Sequence, residues 1–495
     1  MLRRDFLTGA GLAYGVSARA QSRRRRPNLL FLIADDHAGY VLGADGNAQS
    51  VTPNLDRLAS EGVRFARHYC NSPVCTPSRQ SFLTGQLPHA AGVTVLSTAL
   101  ATDKPTLAKQ LKAAGYSTAV FGKMHFNRAS YPGLHGFDFL MTEDDTLKAW
   151  AEEGAATPIP ADIRTKPPWR PVRDPARIWL NADKLPYPRK IEEMRSSFVV
   201  RRAARYLEEH KDNQFALWVS FTEPHSPFDF PIEYRDKFSP GSFTAPKAGP
   251  EDGWQIPLIF RDLTDADKRG IISAYYTSVS FVDHSIGRVL GKLRELRLEE
   301  DTLVVYMPDH GYSLGQHGRF EKHCCYEPAL RVPLLIRWPG KIGPRVVQSF
   351  TESVDLPPTL LDLLGADPLP VNHGQNLFAG NPRDSIFSEY LENEEACIRT
   401  ARYKFIFCSG RRERKDGYKT DRPTFPEPYV RLYDLERDPD ELHDVARGHP
   451  DVVVDLKRRM LQRFRSTHPE RDNEPSNGGT DEALMWYLRP RDAKS

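Results

Sequence analysis

The 495-residue chain is 40% hydrophobic and 27% charged, ordinary values for a folded protein with room for one large domain and a smaller one. Its formal net charge of +3 is set by the first 26 residues, where seven arginines face one aspartate and leave about −3 for the rest. So neutral a body carries no electrostatic footprint for nucleic acid as a partner, and no run is long and apolar enough for a stable membrane span.

The N-terminus reads as an address. Arg3-Arg4-Asp5-Phe6-Leu7 leads into a mildly apolar run to Val16 and an Ala18-Arg19-Ala20 end. Twin arginines before a weak apolar stretch and small residues predict a Tat-type signal cleaved after Ala20. The Tat translocon is then a partner, and the destination is periplasmic or secreted. A disordered basic tail is the plainer alternative. Residues 1–26 are assigned to this signal and its basic linker, 27–380 to a catalytic domain, and 381–495 to a C-terminal subdomain and tail.

Through the catalytic domain one phrase recurs: helix, short apolar strand, polar residues. The strand Pro27–Ala34 ends in Asp35-Asp36, the helix Leu107–Gly115 and strand Ser117–Phe121 precede Gly122-Lys123-Met124-His125, and the helix Phe198–His210 and strand Phe215–Phe221 precede Thr222-Glu223-Pro224-His225. A long helix, Asp267–Leu296, and a strand, Thr302–Met307, lead to Pro308-Asp309-His310-Gly311. Strands apolar on both faces, alternating with helices, predict a doubly wound, mostly parallel α/β sheet. Ligands bind such sheets at the carboxyl edge, where Asp35, Asp36, Lys123, His125, His225, Asp309 and His310 would converge.

Between Met141 and Arg195 the pattern breaks into a segment crowded with Pro, Trp and Arg, which either shapes a substrate pocket or forms a surface loop. Trp150, Trp169 and Trp179 are candidates to line a pocket, although apolar packing is the commoner use of tryptophan. After Gly380 the chain turns β-rich and basic, with Ala401–Phe407 and Leu432–Leu435 as strands and a closing helix Val452–Phe464; Met485-Trp486-Tyr487 is placed to dock the tail.

Cys75-Thr76-Pro77-Ser78-Arg79, followed by Leu83-Thr84-Gly85, is the most distinctive stretch. Pro77 lacks a backbone donor and fixes φ, which suits a turn or a helix entrance. A helix starting there aims free N–H groups and a guanidinium at one small volume that favours an anion, with Cys75 at its mouth. The six cysteines are too few for a disulfide scaffold and match no zinc spacing; buried thiols suit the five others. Three carboxylates, Asp35, Asp36 and Asp309, gathered without clustered thiolates suit a hard divalent ion, Ca²⁺ or Mg²⁺.

Asp35-Asp36, Cys75–Arg79, Gly122–His125, Pro224-His225, Asp309–Gly318 and Lys322 stand in the order of the type I sulfatase motifs, and the chain resembles that family of the alkaline phosphatase superfamily from about Pro27 to His468. Gly122-Lys123-Met124-His125-Phe126 and Leu134-His135-Gly136-Phe137 are worded most like its choline-sulfatase and phosphonate monoester hydrolase branch. The resemblance implies an alkaline-phosphatase-like fold with a smaller C-terminal α+β subdomain. It also implies that a maturation enzyme oxidises Cys75 to formylglycine, whose hydrate attacks sulfur to give a covalent sulfated species. By the same resemblance Asp35, Asp36, Cys75, Asp309 and His310 take metal positions, with a sulfate contact as the other role of His310. Arg79 orients the diol, Lys123, His225 and Lys322 hold sulfate oxygens and assist the leaving alcohol, and His125 deprotonates the hemiacetal. The expected activity is hydrolysis of a sulfate ester; phosphonate monoester or phosphodiester hydrolysis, and a non-catalytic binding protein with an unmodified thiol, are the alternatives.

Overall fold

The computed structural model describes residues 26–153, 157–170, 173–410, 418–420, 428–476 and 478–492. The export signal therefore lies outside the described residues, Arg26 excepted. Among the described residues no helix is long and apolar enough to cross a membrane.

Eight strands form the main sheet: β1 (Asn28–Ile33), β2 (Val63–Tyr69), β3 (Ser117–Gly122), β4 (Phe139–Met141), β5 (Phe215–Ser220), β6 (Thr302–Tyr306), β7 (Leu334–Arg337) and β8 (Arg345–Glu352), in spatial order β4-β3-β5-β1-β6-β7-β2-β8. From β4 to β6 every pairing is parallel; β7 alone runs antiparallel to both neighbours, β6 and β2. The mostly parallel, doubly wound sheet expected from the sequence is therefore present.

Burial explains why β1 is central. Its Leu29, Phe31 and Ile33 enter one core with Phe82, Leu107 and Leu360, while Leu30 and Leu32 enter a second with Phe198, Leu207 and Val282. Successive side chains of a strand point to opposite faces, so both faces are covered by helices. The longest helix, Asp265–Glu295, is started by a reciprocal box: Thr264 Oγ1 accepts the Asp267 N–H at 3.1 Å, and an Asp267 oxygen accepts the Thr264 N–H at 3.0 Å.

A second sheet, β9 (Ser385–Tyr390), β10 (Glu395–Thr400), β11 (Tyr403–Cys408) and β12 (Tyr429–Asp434), is antiparallel throughout. The helix Pro450–Thr467 packs Leu456, Met460 and Phe464 on it, and the helix Thr480–Tyr487 adds Leu484, Met485 and Tyr487 to the same core. The tail thus docks through Met485 and Tyr487.

Candidate active site

Strands β3, β5, β1 and β6 are neighbours in the sheet, so their carboxyl ends open side by side. Gly122 ends β3 at a φ of +99°, and a Cβ there would lie 1.8 Å from the Ser220 carbonyl oxygen of β5. Only glycine permits that approach, which lets the Lys123 N–H donate to the same carbonyl at 3.0 Å and turns the lysine over the edge. Asp36, after β1, also sits in the left-handed region at φ +67°. A non-glycine residue there costs roughly 1–3 kcal/mol; the Tyr275 hydroxyl bonded to its carbonyl, and its N–H donated to Asp309 Oδ1 at 3.2 Å, hold it in place.

Opposite this edge stands the wholly buried helix Cys75–Thr84. It starts at Cys75, two residues before Pro77, which falls in the first turn where its missing N–H removes no helical bond. Cys75 Sγ lies 3.2 Å from Lys322 Nζ, 3.2 Å from His310 Nε2, 3.7 Å from Asp35 Oδ1 and 3.9 Å from Lys123 Nζ. Arg79, one turn on, donates to Asp35 at 2.8 Å, to Asp309 at 2.9 Å and to Ser220 Oγ at 3.0 Å. Lys123 Nζ pairs with Asp35 at 2.6 Å and Lys322 Nζ with Asp36 at 2.9 Å.

These fields decide protonation. Burial and Asp35 would raise the Cys75 thiol, but Lys123, Lys322 and His310 outweigh them and hold it below its ordinary value. Asp35 is kept far below the usual carboxylate range: burial opposes this, while Lys123 and Arg79 over-compensate. In Asp36 burial wins against Lys322 and His310, and its carboxyl is pushed up to about 7. Burial lowers His310, yet Asp309 and Cys75 carry it up to about 9.

One ligand atom from each of Asp35, Asp36, Cys75 and His310 lies within 4.8 Å of all the others. Asp36 Oδ2 is buried and accepts no hydrogen bond, with His225 Nε2 3.9 Å away. A spare carboxylate oxygen in an acidic cluster fits a hard divalent cation. Asp309 is the fifth predicted ligand. Its Oδ1 accepts the Asp36 and His310 N–H groups and its Oδ2 takes Arg79 Nε and lies 3.5 Å from His310 Nε2, so it stands beside the four as their organiser.

His225 and His125 flank the cluster rather than join it. His225 keeps about a quarter of its side chain exposed, and burial, Lys322 and Lys123 hold it neutral, well below its ordinary value. His125, at φ +52°, is pushed down to about 3 by burial and Lys123. Glu143, which sequence reasoning missed, accepts the Met124 N–H at 3.0 Å and the His125 N–H, and lies 3.9 Å from His125 Nε2. At the start of a helix, Glu143 reads in the sequence only as an ordinary N-terminal acid.

Two further features frame the site. A cavity of about 350 Å³ reaches it at Lys123 and His225 and continues under Trp150, Trp169, Tyr187 and Arg195. The Pro- and Trp-rich segment therefore shapes a pocket; Trp179 is instead core, packed on Phe260 and Tyr418. On the other side the Thr76 hydroxyl donates to the Leu96 carbonyl at 2.7 Å, and Asn127 donates to the Leu96 and Thr98 carbonyls, both at 2.9 Å. That loop is clamped by Asp492, which accepts the Thr94 and Val95 N–H groups and both threonine hydroxyls, of Thr94 and Thr98.

Comparison with known proteins agrees. Residues 27–366 match the sulfatase family, and residues 315–466 match the family described as N-sulphoglucosamine sulphohydrolase, C-terminal. The choline-sulfatase of Rhizobium meliloti is 28% identical over 504 aligned residues, covering 94% of this chain and 91% of that one. An arylsulfatase of Clostridium perfringens is 30% identical over 470, covering 88% and 94%. Among solved structures, the phosphonate monoester hydrolase of Agrobacterium radiobacter superposes with a TM-score of 0.74 at 26% identity, covering 90% of this chain and 96% of that one. With its ordered motifs, its sheet and these likenesses, the chain belongs to the sulfatase family of the alkaline phosphatase superfamily.

Proposed function

We propose that the protein hydrolyses a sulfate ester to an alcohol and inorganic sulfate, with Cys75 matured to formylglycine as the source of the nucleophile. The observation that carries this reading is the convergence of Lys123, Lys322 and His310 on Cys75 Sγ within 3.9 Å. The sulfur marks where the hydrate oxygens of the matured residue would stand. Asp35, Asp36, Asp309 and His310 would hold a divalent cation, Ca²⁺ or alternatively Mg²⁺, which supplies Lewis-acid polarisation of a sulfate oxygen and of the nucleophile.

The chain's own residues do the rest. Lys123 and Lys322 hold the sulfate oxygens at the mouth of the Cys75–Thr84 helix, where charge develops as the ester bond breaks. Arg79, tied to Asp35 and Asp309, fixes the helix against the sheet edge. His225 donates a proton to the departing alcohol: an entering anion opposes the lysine field that keeps its ring neutral, and so raises its proton affinity. His125 accepts the proton that leaves position 75 as sulfate departs, with Glu143 fixing its backbone.

Peptide mass spectrometry across Cys75, on protein from a host with the maturation enzyme, tests the nucleophile: CHO in place of CH₂SH is expected. An unmodified thiol together with no turnover of any sulfate ester would refute the reading. Phosphonate monoester or phosphodiester hydrolysis is the second reading, favoured by the likeness to the phosphonate monoester hydrolase. Kinetics on matched aryl sulfate and aryl phosphonate esters separate the two. The twin-arginine leader supports export through the Tat translocon to the periplasm or beyond, and Arg3→Lys with Arg4→Lys is expected to trap the protein in the cytoplasm on cell fractionation.

A further inference from the structure

The cavity beside the reaction cluster carries both signs of charge, and the two are not equally provided for. Its carboxylates all have internal partners. Glu143 takes two backbone N–H groups. Glu223 accepts the Ser196 hydroxyl, and burial holds it toward the neutral form against the opposing charge of Arg195. Asp229 is paired with Lys166. Among the cations, Lys123 is bound to Asp35. Arg195 is the exception: half-buried in the wall, it makes no side-chain hydrogen bond or ion pair with any described residue, and its charge acts on Glu223 only from beyond ion-pair distance. It is also the first residue of the helix Arg195–His210, whose positive dipole end faces the same space.

A guanidinium carries five N–H donors in a fork that matches a carboxylate or sulfate, and leaving it unmatched within a cavity wall forgoes that pairing. The aromatic walls point the same way. Arg189 lies 5.4 Å over the ring of Trp150, and Lys166 lies 5.4 Å over the ring of Tyr187. One face of each of these two rings is thus already taken by one of the protein's own cations, so a quaternary ammonium stacked on the other would meet like charge through the ring.

We infer that Arg195 is a specificity-determining residue that binds a second anionic group on the substrate, so that the preferred substrate is a sulfate ester whose alcohol portion itself carries a carboxylate or a further sulfate. This rests on the sulfate-ester reading for the group that reacts; the second group lies in the cavity, on the far side of Lys123 and His225 from Cys75. The flat, partly polar walls offered by Trp150, Trp169 and Tyr187 suit the ring that joins the two anions.

The test uses the matured full-length protein and four matched phenyl sulfates: unsubstituted, carboxylated, bearing a second sulfate, and bearing a trimethylammonium group. The wild type is expected to favour the doubly anionic esters over the unsubstituted one by about tenfold or more in kcat/KM, mostly through KM, as for loss of one charge-assisted pair. The ratio between the two anionic esters tells carboxylate from sulfate as the group read. In Arg195→Ala the preference over the unsubstituted ester falls to near one, Arg195→Lys retains part of it, and Arg195→Glu turns it toward the trimethylammonium ester. Thermal melting of each variant, and Arg195→Gln as a milder change, separate lost recognition from lost folding. A wild type that prefers the trimethylammonium ester, or an Arg195→Ala that loses equally on all four, overturns the inference. If no sulfate turns over, the sulfate-ester reading fails by itself. The same four substituents on phenyl phosphonates, and calorimetric binding of the intact esters, then decide the role of Arg195 separately: a tenfold preference for the anionic set that Arg195→Ala removes sustains it, and equal binding ends it.

Discussion

Two buried ionic clusters in this molecule use the same ingredients to different ends. At the junction of the two sheets, Lys404 Nζ lies 3.1 Å from Glu327 and 3.0 Å from Glu441, Glu441 accepts the Glu327 N–H at 2.7 Å, and the Tyr69 hydroxyl donates to Glu327 at 2.9 Å. Lys404 is fully buried and Glu441 nearly so. At the catalytic edge, buried acids and lysines come from loops past β1, β3 and β6, and His225 joins them from the loop past β5. Each cluster holds one acid in left-handed backbone, Glu441 at φ +58° and Asp36 at φ +67°, but Glu441 Oε1 faces Lys404 at 3.0 Å, whereas Asp36 Oδ2 has only His225 at 3.9 Å and a cavity opens beside it. A carboxylate oxygen left without a close cation beside a cavity, rather than buried charge or backbone strain as such, distinguishes the candidate site from the structural cluster.

Substitutions can break that contrast. Cys75→Ala is expected to lower kcat by about 10³-fold or more while leaving the melting temperature close to wild type, because a small buried side chain is lost but no charge is orphaned. Lys404→Met should do the reverse. Stranding Glu327 and Glu441 costs about 3–5 kcal/mol in urea unfolding, with kcat per folded molecule unchanged. If Lys404→Met instead removes activity at constant stability, the two clusters are not separate.

A divalent ion sharpens the comparison. Chelation is expected to lower the unfolding free energy by about 2.7 kcal/mol relative to ion at a hundredfold its Kd, and Ca²⁺ should restore it. In chelator, Asp36→Asn is expected to be neutral or stabilising, since it removes a carboxyl that burial pushes up to about 7; Asn tolerates the left-handed backbone. Metal titration followed by melting temperature reads both effects.

The smallest effect concerns pH and lies outside both clusters. His68 is wholly buried, with Nδ1 3.0 Å from Thr351 Oγ1, and burial pushes it down to about 3. Between its ordinary value near 6.5 and about 3, the unfolded chain binds a proton that the folded one refuses. Stability from this group is therefore full above pH 6.5 and falls as the pH drops through that window, by at most ~1.4 kcal/mol per pH unit. His68→Gln should flatten that slope in urea midpoints measured from pH 7 to pH 4.

Much of the site was legible because parallel sheets place chemistry at strand ends, so four short polar phrases could be read as one edge without knowing the strand order. The remainder depended on features with no local signature. β2 escaped notice because its pairing with β8 shifts between Phe65 and Arg67, and the bulge ends the alternation that marks a strand. The antiparallel β7 is three apolar residues and Arg337, too short to show a period. Asp309 reads in sequence as one more ligand; the structure adds that its oxygens also accept the Asp36 and His310 N–H groups and the Arg79 guanidinium, which hold the others in place. Arg195 was invisible for a related reason: a charge becomes informative only once its neighbours are known to be satisfied elsewhere.

The clamp on the loop beside Cys75 has a consequence in time. Asp492 and Thr94 are 398 residues apart in sequence, and at ordinary rates of synthesis that separation takes roughly 20 to 80 s to traverse. The wall beside Cys75 thus cannot close until 398 further residues have followed Thr94 in synthesis. Until then Cys75, fully enclosed in the finished fold, remains on a chain whose site has not closed, and a protein that must touch its side chain has that interval in which to do so.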